Sequence, residues 1–294
     1  MDVSKKTDVS LVGLLDLVEA SSIASIKGTV SGILSLISDP ATSSFDLVQL
    51  IEVDPPLTAK ILRVANSSYY ATSKTISDIQ QALIWIGSDT LKEIILAQKM
   101  SELYRGGTPV HGYSRLQLWR HSLAVALLAK AIYRREFGEK GNNAYAAGLM
   151  HDIGVIVEDQ LLPQEFMQLV QAMEDTPQSL SGSETSFLGY DHCLVGMGLA
   201  EKWNFPDELM DGIGFHHNPE GAREEHRMFV KTIFIADYLM FEQGYGYVPV
   251  KLPDREILQQ YVGDLGLQWY ALRAIVALVR EELGKIEQKG YLAV

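Results

Sequence analysis

The stretch SRLQLWRHSLAVALLAKAIYRREFG, residues 114–138, decides the fold because its apolar residues recur at spacings of three and four. Such spacing places apolar side chains on one face of an α-helix. The predicted apolar face consists of Leu116, Trp119, Leu123, Leu127 and Ala131. Ser114 and Gln117 have the spacing of a capping box, and Gly138 stands where a helix would stop. The stretch therefore predicts one long helix.

The helical period recurs along almost the whole chain. SDIQQALIWIGSDTLKEIILAQKMSELYR, residues 77–105, predicts two helices that break near Gly87, the first opened by Ser77 and Gln80. Strict alternation of apolar and polar residues between turns is missing, so we predict an all-α, multi-helix bundle. The tract YRGGTPVHGYS, residues 104–114, predicts a joint. We therefore expect an N-terminal helical subdomain, residues 1–105, packed on a second helical subdomain, residues 106–294.

Composition limits the classes of function. The chain of 294 residues is 47% hydrophobic and 21% charged, as in an ordinary globular protein, and its net charge of −12 argues against broad nucleic-acid binding. Cys193 is the only cysteine, which fits a reducing cytoplasm. The first 20 residues lack the apolar core of a signal peptide, and no stretch approaches the about 20 apolar residues that span a bilayer. We predict a cytoplasmic protein without membrane insertion.

Seven histidine and aspartate residues lie within or at the ends of apolar helical segments. They are His121, His151, Asp152, His192, His216, His217 and Asp237. One buried histidine is usually a satisfied core residue, and His151 with Asp152 could be a hydrogen-bonded pair or a helix cap. Burying one unpaired charge costs several kcal/mol, however, so the whole set needs a shared explanation. Imidazole and carboxylate groups meeting inside a helical bundle are typical ligands of transition metals.

Other candidates carry less weight. His111 and His226 lie in polar surroundings and are set aside. Cys193 follows His192 directly, which suggests a metal or redox role. A lone thiol in an apolar helix usually behaves as a small core residue, and this is the interpretation that we adopt from the sequence.

The order H, HD, H, HH, D resembles the HD superfamily of metal-dependent phosphohydrolases, and most closely its HD-GYP branch, which hydrolyses cyclic di-GMP. VDPPLTAKILRVANSSYYATSKTISDIQQALIWIGSDTLKEIIL, residues 53–96, resembles the HDOD family, a bacterial signalling domain related to HD domains. LGYDHCLVGMGLAEKWNFPDELMDGIGFHH, residues 188–217, is similar to both. The resemblance covers roughly residues 25–240 and makes the second subdomain the HD-like one.

The resemblance implies a dinuclear metal site. One divalent ion would be held by His121, His151, Asp152 and Asp237, and Asp152 would bridge to a second ion held by His192, His216 and His217. Iron is the first choice for both ions, with manganese, zinc or nickel as alternatives. HDOD proteins have usually lost most of these ligands, whereas this chain keeps the full HD-GYP-like set.

The chain also departs from the HD-GYP enzymes. Val155 replaces the lysine that follows HDIG in those enzymes, and the sequence after His217 lacks the GYP signature. Gln117 stands where some members place a third-metal glutamate, although its capping position explains it more simply. We therefore expect a bacterial HDOD-type signalling protein with a dinuclear metal site and a protein partner. The alternative is a metal-dependent phosphohydrolase, a phosphodiesterase that acts on a nucleotide or cyclic dinucleotide.

Overall fold

The computed structural model describes residues 9–38, 44–67, 75–175 and 178–288. Regular structure in these ranges is helical, and the one extended pairing is an isolated bridge between Val110 and Tyr113. The predicted all-α fold is therefore confirmed. The ends of the two predicted subdomains, residues 1–8 and 289–294, lie outside the described residues.

The helices before residue 105 form the N-terminal half of the bundle. They are α1 (Leu11–Glu19), α2 (Lys27–Ser38), α3 (Ser44–Glu52), α4 (Pro55–Ala65), α5 (Ile79–Ile86) and α6 (Ser88–Met100). The second half begins with α7 (Arg115–Ile132), α8 (Asn142–Met150), α9 (Ile153–Leu161), α10 (Pro163–Asp175) and α11 (Leu180–Leu188). It continues with α12 (His192–Lys202), α13 (Asp207–Gly214), α14 (Arg227–Met240), α15 (Arg255–Asp264) and α16 (Trp269–Gln288).

Local sequence signals set the helix ends. The hydroxyl of Ser114 accepts a hydrogen bond from the backbone N–H of Gln117 at 3.2 Å, which confirms the predicted cap of α7. The predicted cap of α5 is wrong by one residue, because Asp78 and not Ser77 accepts from the N–H of Gln81, at 2.8 Å. Aspartate caps at least as well as serine, and its charge favours the positive end of the helix dipole.

Helix α7 lies at the centre of the bundle and packs against α8, α14 and α16. The buried surface of the helix is therefore wider than the predicted apolar face and does not include all of it. Val125 and Leu128, outside the predicted face, are fully buried, whereas Leu116 within it is 46% exposed. A helix surrounded by other helices is buried on most sides, so its periodicity does not identify one inner face.

The two halves of the bundle pack directly on each other. Helices α2 and α6 contact α8, and α1 contacts α9 and α12. Lys130 of α7 donates to the buried carboxylate of Glu93 of α6 at 2.6 Å. The boundary at residue 105 itself stays a prediction.

Among the described residues, no single helix is both long and apolar enough to cross a membrane. Two bent helix pairs, residues 11–19 with 22–37 and residues 255–264 with 269–288, meet the length and composition test only when each pair is taken together.

Candidate metal centre

The bundle brings the seven predicted site residues together from five parts of the chain. His121 lies in the middle of α7, and Asp237 lies in α14. His151 and Asp152 form the turn between α8 and α9. His192 is the first residue of α12, and His216 and His217 follow α13. The imidazoles of His121, His151, His192 and His216 are fully buried, whereas the His217 side chain is 32% exposed.

Four of these residues form a compact set that we call the His121 group: His121, His151, Asp152 and Asp237. Nε2 of His121 lies 3.3 Å from Nε2 of His151 and 3.0 Å from Oδ1 of Asp237. Nε2 of His151 lies 3.0 Å from Oδ2 of Asp152. Ligands bound to one ion at about 2.0–2.2 Å lie about 2.8–3.1 Å apart at right angles and about 3.3–3.6 Å apart in a tetrahedron, so these separations suit a single metal ion.

A second set, the His192 group, consists of His192, His216 and His217. Nε2 of His192 lies 3.4 Å from Nε2 of His216. Both nitrogens face Oδ1 of Asp152, at 3.5 Å for His192 and 3.6 Å for His216. Asp152 therefore presents one oxygen to each group.

Outer hydrogen bonds orient three of the imidazoles. Nδ1 of His151 donates to the carbonyl of Gly148 at 2.9 Å, and Nδ1 of His216 donates to the carbonyl of Ile213 at 2.8 Å. Because a carbonyl oxygen only accepts, Nδ1 carries the proton in both rings. Nδ1 of His192 lies 2.6 Å from the carboxylate of Glu184 and donates to it. In the neutral rings, Nε2 therefore offers a lone pair to the cluster, as metal-binding histidines do.

This donor set fits a divalent cation. Oδ1 of Asp152 and Oδ1 of Asp237 are buried and accept no hydrogen bond from the described protein atoms. Carboxylate oxygens and imidazole lone pairs that face one another in a buried space repel unless a proton or a metal cation lies between them. Among the described residues, the ligand atoms of His121, His151 and Asp237 lie within 4.8 Å of one another, and so do those of His151, Asp152 and His216.

The charge states are compatible with metal binding. Burial raises the pKa of the Asp237 carboxyl, but the nearby His121, His151 and His217 together outweigh burial and hold the pKa at about 2. Burial lowers the pKa of His217 well below its usual range, and His216 lowers it further. Burial also lowers the pKa of His216, but the negative charge that the Cys193 sulfur can carry and the carboxylate of Asp152 raise it to about 10. Without a metal ion that ring carries a second proton, which a cation would displace.

The sequence interpretation missed two buried glutamates, one of which supports His192 directly. Glu184 and Glu158 are both fully buried. Burial raises the pKa of Glu158 well above its usual value, and the charge of Glu184 raises it further. Glu184 accepts a hydrogen bond from Nδ1 of His192, and its charge also acts on the neighbouring Glu158 carboxyl. Glu184 lies in the mixed-polarity stretch SGSETSF, so no local pattern marked it.

Glycines allow the close helix packing that assembles the cluster. A Cβ atom on Gly154 in α9 would lie 2.0 Å from the carbonyl oxygen of His192, and one on Gly148 would lie 2.8 Å from the backbone of Ala126 in α7. Helix α9 therefore touches the start of α12 backbone to backbone, and α8 does the same with α7. These contacts place Asp152 beside His192, and His151 beside His121.

A cavity of about 470 Å³ opens onto the cluster. Asp152, His217 and Asp237 line it, and the rings of Phe241 and Tyr247 form part of its wall. This volume lies within the range of about 300–1,000 Å³ that is common for small-molecule sites. The cluster is therefore accessible to a small ligand.

The cavity wall carries a positively charged side chain, although not at the position that the resemblance suggested. Val155 is fully buried and is not one of the residues that line the cavity. Lys251 is the one lysine or arginine among the described residues that line it. Of the histidines set aside from the sequence, His226 pairs with Asp211 at 2.7 Å.

Comparisons with known proteins agree with this architecture. Residues 23–219 match a family model described as HDOD domain. The chain is 26% identical over 224 residues to a protein of Treponema pallidum (strain Nichols), an alignment that covers 74% of this chain and 42% of that protein. The chain therefore spans less than half the length of this curated relative.

Two solved structures share the fold. An HDOD domain protein from Geobacter sulfurreducens superposes with a TM-score of 0.76 at 29% identity, covering 90% of this chain and 91% of that one. A protein from Shewanella amazonensis SB2B, described as a candidate phosphohydrolase, superposes with a TM-score of 0.68. It is 22% identical, with 96% of each chain covered, and shows a likeness of fold alone. Because the family model covers about two thirds of the sequence, the chain belongs to the HDOD domain family.

Proposed function

We propose that the protein is an HDOD-type bacterial signalling protein that carries two divalent transition-metal ions at the cluster. One observation carries the proposal. Oδ2 of Asp152 lies 3.0 Å from Nε2 of His151, and Oδ1 lies 3.5 Å from Nε2 of His192. A carboxylate that faces two separate imidazole groups is suited to bridge two cations.

The seven proposed ligands would be divided between the two ions. His121, His151, Asp152 and Asp237 would hold the first ion, and His192, His216 and His217 would hold the second together with Asp152. Iron is the first candidate, and manganese, zinc and nickel accept the same nitrogen and oxygen donors. Two such ions would supply Lewis-acid stabilisation of charge on a bound phosphoryl group.

A signalling role needs a surface for a protein partner. On α5, the adjacent residues Ile84 and Trp85 are 80% and 56% exposed. Exposed tryptophan and aliphatic side chains are typical of residues that become buried in protein contacts. This surface supports the proposal of a protein partner.

The test of the proposal is the metal content of the native protein. Elemental analysis of protein purified without added metal, together with anomalous scattering at the cluster, should find two transition-metal ions per chain. A chain that contains no metal and takes up none from solution would contradict the dinuclear site. One ion per chain would remove the bridging role of Asp152.

A second candidate function is a metal-dependent phosphohydrolase that acts on a nucleotide or cyclic dinucleotide. The cavity of about 470 Å³ favours it, because Asp152, Asp237 and Lys251 are all among the residues that line it. The lysine could bind a phosphate oxygen while the aromatic rings of Phe241 and Tyr247 contact a base. Steady-state assays with iron or manganese should separate the two functions. Brisk turnover of cyclic di-GMP would favour the enzyme over the signalling protein.

A further inference from the structure

Cys193 lies against the His192 group. Its side chain is 6% exposed, and Sγ lies 3.5 Å from Nε2 of His192. The same sulfur lies 3.8 Å from both ring nitrogens of His216. The potential ligand atoms of Cys193, His192, His216 and His217 all lie within 4.8 Å of one another. The thiol thus faces a group of imidazoles.

The separations suit a mixed nitrogen and sulfur site. With zinc bonds of about 2.3 Å to sulfur and about 2.0–2.1 Å to nitrogen, neighbouring ligands in a tetrahedron lie about 3.4 Å (nitrogen to nitrogen) and about 3.6 Å (nitrogen to sulfur) apart. The corresponding distances are 3.4 Å between His192 and His216 and 3.5 Å between Cys193 and His192. Because Sγ is equally far from both nitrogens of His216, coordination requires the thiol to turn towards Nε2.

We propose that Cys193 is a ligand of the second metal ion. The inference rests on the proposed metal site and adds a sulfur donor to it. On binding, the thiol loses its proton to solvent and the sulfur coordinates as a thiolate. A thiolate makes the His192 group softer than the His121 group, whose donors are nitrogen and oxygen. The second position should therefore prefer zinc or cobalt to manganese, whereas the first is less selective.

Cobalt substitution tests the proposal directly, because a thiolate bound to Co²⁺ gives a charge-transfer band in the near ultraviolet that nitrogen and oxygen ligands do not. Cys193 is the only cysteine in the chain, so the band has one possible source. The metal-free protein is titrated with Co²⁺ alone while absorption and bound cobalt are both measured. The band should grow with one of the two bound equivalents.

Matched variants complete the test. Cys193→Ala and Cys193→Ser should lose the band and bind their second Co²⁺ at least about tenfold more weakly, while the first equivalent binds as before. Both variants should also lose the preference for Zn²⁺ over Mn²⁺ in competition. Melting of the metal-free variants checks that the fold is intact.

The outcomes separate this inference from the proposed function. Two bound cobalt ions without a charge-transfer band in the native protein would overturn the role of Cys193 and leave the dinuclear site standing. No bound cobalt at all would overturn both. The spectrum of the native protein decides the question even if a variant fails to fold.

Discussion

Glu184 and His192 are joined by a hydrogen bond of 2.6 Å between the carboxylate Oε2 and the ring Nδ1. The same oxygen accepts the backbone N–H of His192 at 3.0 Å, so one carboxylate fixes both the ring and the start of α12. Outer carboxylates of this kind set the tautomer of a metal-binding histidine and raise its basicity.

The first prediction concerns this outer carboxylate. Glu184→Gln keeps the shape of the side chain but removes its charge, so His192 should become a weaker ligand. The affinity for the second metal equivalent should fall about 10- to 100-fold. Calorimetric titration of the metal-free protein measures the effect. Glu201→Gln, a substitution at an exposed position on α12, is the control and should leave the affinities for both metal equivalents unchanged.

The second prediction concerns the bridging position of Asp152. Asp152→Ala should release both ions, because this side chain is the only one shared between the two groups. Metal that binds the folded state at about 100 times its Kd stabilises it by about 2.7 kcal/mol. The native Tm should therefore drop when a chelator is added, whereas the Tm of Asp152→Ala should be the same with and without it.

The control for Asp152→Ala is His111→Asn. His111 has a φ of 46°, a conformation that asparagine tolerates, so the substitution removes an imidazole with little backbone strain. This variant should keep two ions and the native response to a chelator. Native metal content in Asp152→Ala would contradict the bridging role.

The third prediction concerns Val155. Its side chain is fully buried and does not line the cavity, so Val155→Lys should lower the free energy of unfolding by several kcal/mol through a buried charge. It should not raise phosphodiester hydrolysis. Urea denaturation of the metal-free protein measures the loss, and Val155→Met separates the effect of size from that of charge. A gain in hydrolysis with Val155→Lys would show that residue 155 reaches the ligand.

The fourth prediction concerns Lys251 as the cation of the cavity. Lys251→Ala should weaken binding of inorganic phosphate to the metal-loaded protein, with both ions retained. Because the side chain is exposed and screened by solvent, the loss should be about 3- to 10-fold. Lys251→Arg should restore most of the affinity. Lys140→Ala, at a lysine that is 78% exposed and outside the cavity lining, is the control. Equal phosphate affinities in the native protein and Lys251→Ala would exclude Lys251 from the site.

The fifth prediction concerns the contact between α9 and α12. In Gly154→Ala the added methyl group would lie 2.0 Å from the carbonyl oxygen of His192, so one of the two helices has to move. Overpacking of this kind costs about 1–3 kcal/mol of stability. The shift should weaken binding of the second metal equivalent more than binding of the first, because His192 belongs only to the His192 group. Gly263→Ala, where the added methyl group would contact nothing, is the control for thermal melting and metal titration.

The sequence by itself determined the helical fold, the family and most of the candidate site. The apolar period predicted helices, and Ser114 and Gly87 marked helix ends. Gly138 ends the π-helical turn Tyr133–Phe137 that continues α7, because caps and left-handed glycines act within a few residues. The order of histidines and aspartates selected the seven residues that the structure brings together. These signals are local in the chain or depend on residue type, so they can be read without the tertiary fold.

The tertiary structure alone decided what surrounds those residues. Glu184, Cys193 and Lys251 reach the cluster or its cavity through packing between helices that are distant in the chain, and Val155 turns into the core. The burial of α7 on most sides depends in the same way on α8, α14 and α16. Helical periodicity shows on which face of its own helix a side chain lies, but it does not show which other helix packs on that face. The contacts of Gly154 with His192 and of Gly148 with α7 determine which helices pack together, and these contacts exist only in the folded chain.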